Sequence, residues 1–386
     1  MSVSITKEIM LATGEFFIPT SLITTPDHEM IVTASWPGAK TGLAIKVNLD
    51  GAVRWTYRWK LDTVAQPLQA PVITAATVLP NNDVLLCGND TIGGISSDKH
   101  ETRVKGRLIK LNAQGELLEE TDLLPSSPFD IHFRGLTNCG RWGDGAYAIG
   151  HGFRVLPYAG DASKPHKNTL EHYFWLVRTD ASGNILWGKV IPTNIGVGPR
   201  LPQPQLLPNG DLVVAGKGGD AKTPDFTSTD LVVVSPDGEV RARRNIASSY
   251  VPVRRIVAGL PLVLFPVSNH AASATQTLDL DTSLKTVGQR EADKFRGVFA
   301  YLREPNQLVK FGFSDVMGTS YRGIASIDLA TGKQEELALP GRGEDGYEIS
   351  DVTVLGQDNQ FAFTAVRSGL SIPGKHAIGI TILKLK

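Results

Sequence analysis

Charged and histidine side chains stand at the ends of short apolar runs along much of the chain. A ring of arginine and histidine with scattered aspartates would suit a carboxylate, a phosphate, a polar polymer or the acidic edge of a protein. His151 and Arg154 are the leading pair, because the segment from Gly150 to Arg154 departs abruptly from the strand pattern before it. The charged set is Asp90, His151, Arg154, Arg200, Lys217, His270, Arg296, Asp315 and Arg367.

Four aromatic residues lie in or beside the same segments. They are Trp36, Phe153, Tyr158 and Phe226. Aromatic side chains often anchor protein–protein interfaces, because they bury a large area at a small entropic cost. The charged set and these aromatic residues together are the candidate residues for binding a ligand or a partner.

Motifs for catalysis, metal binding and cofactors lack the surroundings that such chemistry needs. The glycine-rich segment Gly216–Gly219 follows an apolar run but is not followed by a helix, as a phosphate loop requires. His166 and His172 have no third ligand in the same stretch. No serine stands in a nucleophile elbow. We therefore predict no catalytic residue, no metal site and no cofactor.

The elements that must position the candidate residues are short strands joined by tight turns. From Tyr173 to Gly219 the chain reads as two hairpins, which turn at Asp180–Gly183 and at Pro208–Asp211. Apolar runs on either side of Asn-Gly or Ser-Gly are a strong hairpin signal. Weaker copies of this pattern recur every 45–65 residues or so, whereas sustained helical periodicity is absent.

The repeats predict one domain over residues 1–386. Its seven units span 16–60, 71–122, 131–191, 201–245, 251–290, 295–338 and 347–386. The last unit has three strands, and the segment 2–10 has no hairpin partner, so this N-terminal strand is expected to complete the last unit. The fold class is therefore all-β, a seven-bladed β-propeller of four-stranded antiparallel blades closed by the N-terminal strand. Six or eight blades are the alternatives, because the fifth unit is weakly patterned.

Two units are the best matches to a more specific pattern, an apolar strand before Asp-x-x-Gly and a tryptophan a few residues later. These are Leu49-Asp50-Gly51 with Trp55, and Asp180 and Gly183 with Trp187. The pattern resembles the quinoprotein-type, or PQQ-like, propeller repeat family. The resemblance implies a propeller in which Trp55 and Trp187 pack between adjacent blades. It does not imply a quinone cofactor, because neighbouring cysteines and a ligand set are missing.

In such a blade, strands a to d run from the axis outward, and the b–c and d–a connections open on one face. The b–c segments are long here: Gly88–Lys105, His151–His172 and Gly216–Asp230. We expect them to be structureless functional loops. The hypothesis is a non-enzymatic platform that binds another protein, such as a bacterial immunity or scaffold protein. The alternative is an enzyme or lectin that holds a carbohydrate or a small polar or anionic ligand over the central channel.

The composition limits the classes of partner and the cellular compartments that we expect for this protein. Lys+Arg and Asp+Glu both number 39, so no net positive charge favours nucleic acid. Cys87 and Cys139 are expected to be reduced, buried thiols, with a disulfide as the alternative. The N-terminal segment does not resemble a secretory signal, and no apolar run is long enough to span a membrane. We expect a cytoplasmic protein, or a periplasmic or secreted one if a signal peptide has been removed.

Overall fold

The computed structural model describes most of the chain. The described residues are 3–36, 41–60, 71–92, 103–123, 132–156, 169–193, 203–220, 223–248, 250–252, 254–255, 262–266, 276–291, 299–304, 307–314, 321–331, 333–337, 347–355, 360–367 and 377–385. Within these ranges the regular secondary structure is entirely β, which confirms the predicted all-β class.

The described strands form seven sheets. The first strand of the chain, β1 (Val3–Ala12), belongs to the last of them, sheet 7. Sheet 1 contains β2 (Ile18–Thr24), β3 (Met30–Trp36), β4 (Thr41–Val47) and β5 (Val53–Lys60). Sheet 2 contains β6 (Pro71–Val78), β7 (Val84–Ile92), β8 (Arg103–Leu111) and β9 (Leu117–Leu123). Sheet 3 contains β10 (His132–Trp142), β11 (Gly145–Leu156), β12 (Thr169–Thr179) and β13 (Ile185–Thr193). Sheet 4 contains β14 (Gln203–Leu206), β15 (Leu212–Asp220), β16 (Thr223–Val234) and β17 (Val240–Ile246).

The C-terminal sheets are less regular. Sheet 5 contains β18 (Tyr250–Pro252), β20 (Leu262–Pro266), β21 (Gln276–Leu280) and β22 (Thr286–Glu291). Sheet 6 contains β19 (Arg254–Arg255), β23 (Phe299–Glu304), β24 (Gln307–Ser314), β25 (Tyr321–Asp328) and β26 (Gln334–Leu337). Sheet 7 contains β27 (Tyr347–Leu355), β28 (Gln360–Arg367) and β29 (Ala377–Leu385), and β1 lies beside β29 as its fourth strand. The described strand pairs are antiparallel except for β19 and β23.

The tight turns follow from amide and carboxylate side chains that replace backbone hydrogen bonds. Asn48 Oδ1 accepts the N–H groups of Asp50 and Ala52, and Gly51 adopts φ +89°. Asp180 Oδ1 accepts those of Ser182 and Asn184 in the same way. Side-chain capping of this kind, followed by a glycine in the left-handed region, is typical of hairpin turns. The turns that the sequence marks at Asn48–Ala52 and Asp180–Asn184 are therefore present.

The core lies between neighbouring sheets. Alternate residues of each strand face opposite sides, so a sheet can contribute apolar side chains to the neighbour on either side. Clusters of buried apolar residues join sheet 1 to sheet 2, sheet 2 to sheet 3, sheet 3 to sheet 4, sheet 4 to sheet 5, and sheet 6 to sheet 7. A further cluster joins sheet 7 to sheet 1 and includes Leu22, Ile9 and Ile380.

Tryptophans on the fourth strands of sheets 1 and 3 bind a turn of the following sheet. Trp55 Nε1 donates to the Ala113 carbonyl at 3.1 Å, and Trp187 Nε1 donates to the Pro236 carbonyl at 3.0 Å. Both acceptors lie in the turn between the third and fourth strands of the following sheet. These contacts account for the two tryptophans as packing residues between sheets.

The two thiols are also part of the packing. Cys87 and Cys139 are free and buried in the cluster between sheets 2 and 3, as expected for reduced thiols. Burial raises the pKa of the Cys87 thiol. Among the described residues no helix is long and apolar enough to cross a bilayer.

Candidate partner-binding face

Within the described ranges, the second and third strands of sheets 2, 3 and 4 stay paired with each other beyond their last described pairs with the first and fourth strands. In sheet 3 the last described pairs of β10 and β13 are those with Phe153 and His172, whereas β11 and β12 are paired as far as Leu156 and Thr169. In sheet 1 the last described pair of β3 and β4 is Trp36 opposite Thr41. We call the projecting ribbons the hairpin extensions: 91–92 with 103–105, 154–156 with 169–171, and 216–220 with 223–228.

The hairpin extensions correct one expectation. Gly88–Lys105, His151–His172 and Gly216–Asp230 were expected to be structureless, yet each begins and ends in paired strand. Strands that leave the sheet lose the alternation of buried and exposed residues, although their backbones remain hydrogen-bonded. A sequence pattern based on burial therefore ends before the strands do.

Eight of the thirteen candidate residues lie on described strands, all on second or third strands. They are Trp36, Asp90, His151, Phe153, Arg154, Lys217, Phe226 and Arg367. Side-chain surroundings are described for Asp90, His151, Phe153 and Arg154. Tyr158, Arg200, His270, Arg296 and Asp315 lie outside the described residues.

On β11 the candidates divide between the two faces of sheet 3. Phe153 lies opposite His172, with ring centroids 6.5 Å apart, and it is only 8% exposed. Burial lowers the pKa of His172, so this imidazole favours its neutral form. Phe153 and His172 thus pack at the root of the extension, while the next residue, Arg154, begins the extension on the opposite face and is partly exposed.

Asp90 belongs to a network of charges between sheets 1 and 2. Arg107 lies at its centre, with Nη2 3.6 Å from Asp90 Oδ2 and Nη1 2.9 Å from Glu120 Oε2. The guanidinium also lies 3.1 Å from Asp122 Oδ1, and Lys105 pairs with Asp122. Asp90 is 7% exposed. The candidate carboxylate is therefore mostly enclosed by its own sheet.

Sheet 1 covers this network with aromatic side chains. The Arg107 guanidinium lies 5.8 Å from the Trp59 ring centroid, and Tyr57 donates a hydrogen bond to Glu120 at 3.2 Å. Trp59 packs on Gly88, where an added Cβ would meet the ring at 2.7 Å. Sequence reasoning missed these partners, although the charged residues at alternate positions of β8 and β9 are a signal for cross-strand pairs.

The pKa values of Asp90 and Tyr57 are both raised in this environment. Burial raises the pKa of Asp90 above its ordinary value of 3.8, although Arg107 and Lys105 oppose this shift. Burial and the adjacent Glu120 carboxylate raise the pKa of Tyr57. Asp90 Oδ1 is buried without a hydrogen-bond partner among the described groups. The network thus holds the strands at the start of the first hairpin extension in place. Its Asp90 carboxylate is paired with Arg107 through Oδ2, while Oδ1 lacks a hydrogen bond among the described groups.

Metal ligands do not converge in the described part of the chain, where no group of three or more His, Cys, Asp and Glu side chains could hold an ion. His172 lies against Phe153, and His166 lies outside the described residues. Side chains at the start of the hairpin extensions are packed against their neighbours, and the two strands stay paired beyond them.

Solved structures with similar folds are known at low sequence identity. The propeller domain of the trilobed protease from Pyrococcus furiosus matches with a TM-score of 0.50 and 12% identity, over 96% of this chain and 94% of that one. The Dos1 propeller matches with a TM-score of 0.51 and 9% identity, over 96% and 78%. A protein of unknown function from Dyadobacter fermentans matches with a TM-score of 0.51 and 12% identity, over the whole of both chains.

No family model and no curated protein matches the chain. The quinoprotein-type repeat therefore stays a prediction, whereas the propeller that it implies is supported by the structural neighbours. At these identities the likeness shows a shared fold alone. The chain has a β-propeller fold.

Proposed function

We propose that the protein is a binding platform for another protein, and that the hairpin extensions form its binding surface. The observation that carries this proposal is that the second and third strands of three consecutive sheets stay paired beyond their described neighbours, each at the end where those two strands are connected. Segments that project from a rigid scaffold commonly carry binding residues. The ribbons include the apolar residues Ile92, Val104, Val155, Leu156 and Leu170, which suit the core of a protein interface.

The scaffold in this proposal is a seven-bladed ring closed by β1 in the last blade. Three observations support closure at the junction of sheets 7 and 1. β1 pairs with β29 over most of its length. Leu22 N donates to Asp351 Oδ2 at 2.9 Å, and Thr24 Oγ1 donates to the Val354 carbonyl at 2.8 Å. A closed ring would hold the three ribbons in fixed relative positions, which favours recognition of one partner surface.

The biological role that fits this reading is a cytoplasmic scaffold or immunity protein without catalytic activity. Phe153 and Asp90 support a rigid binding surface, because both contribute to the roots of the ribbons. Phe153 is packed against His172, and Asp90 is held beside Arg107. Rigid roots reduce the entropy that the ribbons lose when a partner binds.

The strand register provides a direct way to remove the ribbons of sheets 2 and 3. Directly opposed residues can be joined by a two-residue Asn-Gly turn. Residues 91–104 are replaced by Asn-Gly between Asp90 and Lys105, and residues 154–171 by Asn-Gly between Phe153 and His172. The control variant replaces the exposed Leu117 and Leu118 by serine at the other end of sheet 2.

Each variant is used to capture proteins from a lysate of the source organism, after circular dichroism has shown an unchanged fold. We expect a protein captured by the parent chain and by the Leu117/Leu118 control to be lost when a ribbon is removed. Capture of the same proteins by the parent chain and by every ribbon-less variant would contradict the proposal. Binding of a sugar in place of a protein would favour the carbohydrate alternative.

A further inference from the structure

The fourth strand of sheet 4 is unusually basic. β17 has the sequence VRARRNI and carries Arg241, Arg243 and Arg244 within four residues. It forms the end of its sheet, where β16 is its paired neighbour among the described strands. Its other edge presents backbone groups that a further strand can bind. This edge is separate from the hairpin extensions.

Two of these arginines are held by backbone carbonyls from the sheets on either side. Arg243 Nη1 donates to the Pro192 carbonyl of sheet 3 at 2.6 Å. Arg244 Nη1 donates to the Leu284 carbonyl of sheet 5 at 2.6 Å. The two guanidinium groups are therefore held on opposite faces of β17.

Their positive charges are not compensated in the described part of the molecule. Arg241 lies 3.3 Å from the Asp211 carboxylate, but no described carboxylate forms an ion pair with Arg243 or Arg244. A guanidinium has five N–H donors, and a single carbonyl leaves most of them for another acceptor. The carbonyls already orient both side chains. Binding of a carboxylate would therefore cost each arginine less conformational entropy.

The fourth strand of sheet 2 differs in this respect. On β9 the carboxylates of Glu120 and Asp122 pair with Arg107 of the same sheet. The negative charges on β9 are thus neutralised by an ion pair within their own sheet. The positive charges of Arg243 and Arg244 are not paired with a described carboxylate. Charged residues on an edge strand can also serve only to prevent strand addition. The test below separates these two roles.

We infer that the outer edge of β17 binds an extended acidic segment of a partner protein by strand addition. Consecutive residues of an added strand point to opposite faces. Two adjacent carboxylates would therefore reach Arg243 on one face and Arg244 on the other, while the backbones pair along the edge. The occupant is a strand-forming segment with two consecutive Glu or Asp residues. This surface is independent of the hairpin extensions and does not rest on the proposed function.

A labelled peptide tests the inference on the full chain. The probe is fluorescein-TTVEEVTT, and its binding is followed by fluorescence anisotropy at low salt. Control peptides are TTVKKVTT, with the charges reversed, and TTPEEPTT, in which proline removes backbone donors and disfavours the strand. The test variant is Arg243→Gln/Arg244→Gln. The matched control is Arg141→Gln, which changes an exposed arginine of β10.

We expect the TTVEEVTT peptide to bind the parent chain and the Arg141→Gln control alike. The double variant should bind it about tenfold more weakly, because two charge-assisted contacts are lost. The lysine and proline peptides should bind at least about tenfold more weakly than TTVEEVTT. In the parent chain, the peptide should slow hydrogen exchange of the amides in residues 240–246.

Equal binding by the double variant and the parent chain would overturn the inference, as would equal binding of the proline peptide. Unchanged hydrogen exchange in residues 240–246 with saturating peptide would also overturn it, and this measurement needs no variant. If the chain alone sediments as a dimer that the double variant abolishes, the occupant is a second copy and the inference is wrong.

Discussion

Asn89 on β7 binds the backbone of Leu136 on β10 through both ends of its side-chain amide. Nδ2 donates to the Leu136 carbonyl at 2.7 Å, and Oδ1 accepts the Leu136 N–H at 2.6 Å. The side chain thereby joins the second strand of sheet 2 to the first strand of sheet 3. Gly135, with φ +104°, allows the close approach, because an added Cβ would meet the Asn89 amide at 2.7 Å.

Asn89→Ala should lower the free energy of unfolding by about 2–3 kcal/mol, since two buried hydrogen bonds are lost and the Leu136 groups are left without partners. Asn245→Ala is the matched control, because Asn245 is exposed and makes one long hydrogen bond of 3.5 Å. Urea unfolding followed by tryptophan fluorescence measures both variants. A loss for Asn89→Ala no larger than that for Asn245→Ala would show that the amide does not join the two sheets.

Alanine substitutions at two glycines distinguish the cost of a strained backbone from the cost of displacing Trp55. Gly115 and Gly210 have nearly the same φ, +83° and +84°, but an added Cβ at Gly115 would meet Trp55 at 2.6 Å, while none is met within 4 Å at Gly210. Gly210→Ala should cost about 1 kcal/mol for the left-handed conformation alone. Gly115→Ala should cost at least about 2 kcal/mol, because Trp55 must also move.

Thermal unfolding of both glycine variants measures this difference. Equal losses would show that Trp55 does not pack on the turn of sheet 2 in solution. The comparison isolates the contact between sheets 1 and 2, since both substitutions introduce the same methyl group into the same backbone conformation.

Asp90→Asn should change how stability depends on pH. The pKa of Asp90 is raised in the folded state, so the folded protein binds more protons than the unfolded chain as pH rises above the ordinary value of 3.8. The ionised carboxylate therefore destabilises the fold at neutral pH and ceases to do so below that value. The variant should gain stability relative to the parent chain as pH rises from 3 to 7, as measured by urea unfolding across this range.

A gain at pH 3 that disappears at pH 7 would reverse the sign and contradict the account of Asp90. Arg107→Gln gives a useful second comparison, because removing the opposing cation should increase the unfavourable contribution of Asp90 at neutral pH.

Asp351→Ala tests the junction between sheets 7 and 1. The substitution leaves the Leu22 N–H without its carboxylate acceptor and should lower the free energy of unfolding by about 2–3 kcal/mol. Asp50→Ala is the control, because the Lys7–Asp50 pair also connects β1 to sheet 1 but is exposed, and its removal should have no measurable effect. Similar unfolding midpoints for the two variants would argue against a stabilising contact at Leu22.

The sequence predicts the turns better than the contacts between sheets. Asp180 and Gly183 mark their hairpin because turn chemistry is local and depends on residues four positions apart. Asn89 gives no comparable signal, since its partner Leu136 lies in another repeat and is recognised through its backbone. The projecting strands are missed for a related reason, because paired backbone beyond the core carries no burial pattern.

At the candidate site, the prediction made for Asp90 from the sequence is incomplete for the same reason. Its position at the end of an apolar run indicates a place near the exposed end of the blade, but the sequence does not reveal that Arg107 partly satisfies it. Asp90 and Arg107 are 17 residues apart and meet because β7 and β8 are paired. Side chains such as Arg154, at the start of a ribbon, remain the better candidates for contact with a partner.

Site-specific photo-cross-linking tests the central claim that the ribbons bind a protein. A photoreactive amino acid is placed at Arg154, at the start of a hairpin extension, and in a second protein at Val287 on β22, which is 64% exposed. After irradiation in the source organism, cross-linked species are compared by mass spectrometry. The account predicts a specific protein adduct from position 154 and none from position 287. No adduct from position 154, or the same adducts from both positions, would contradict it.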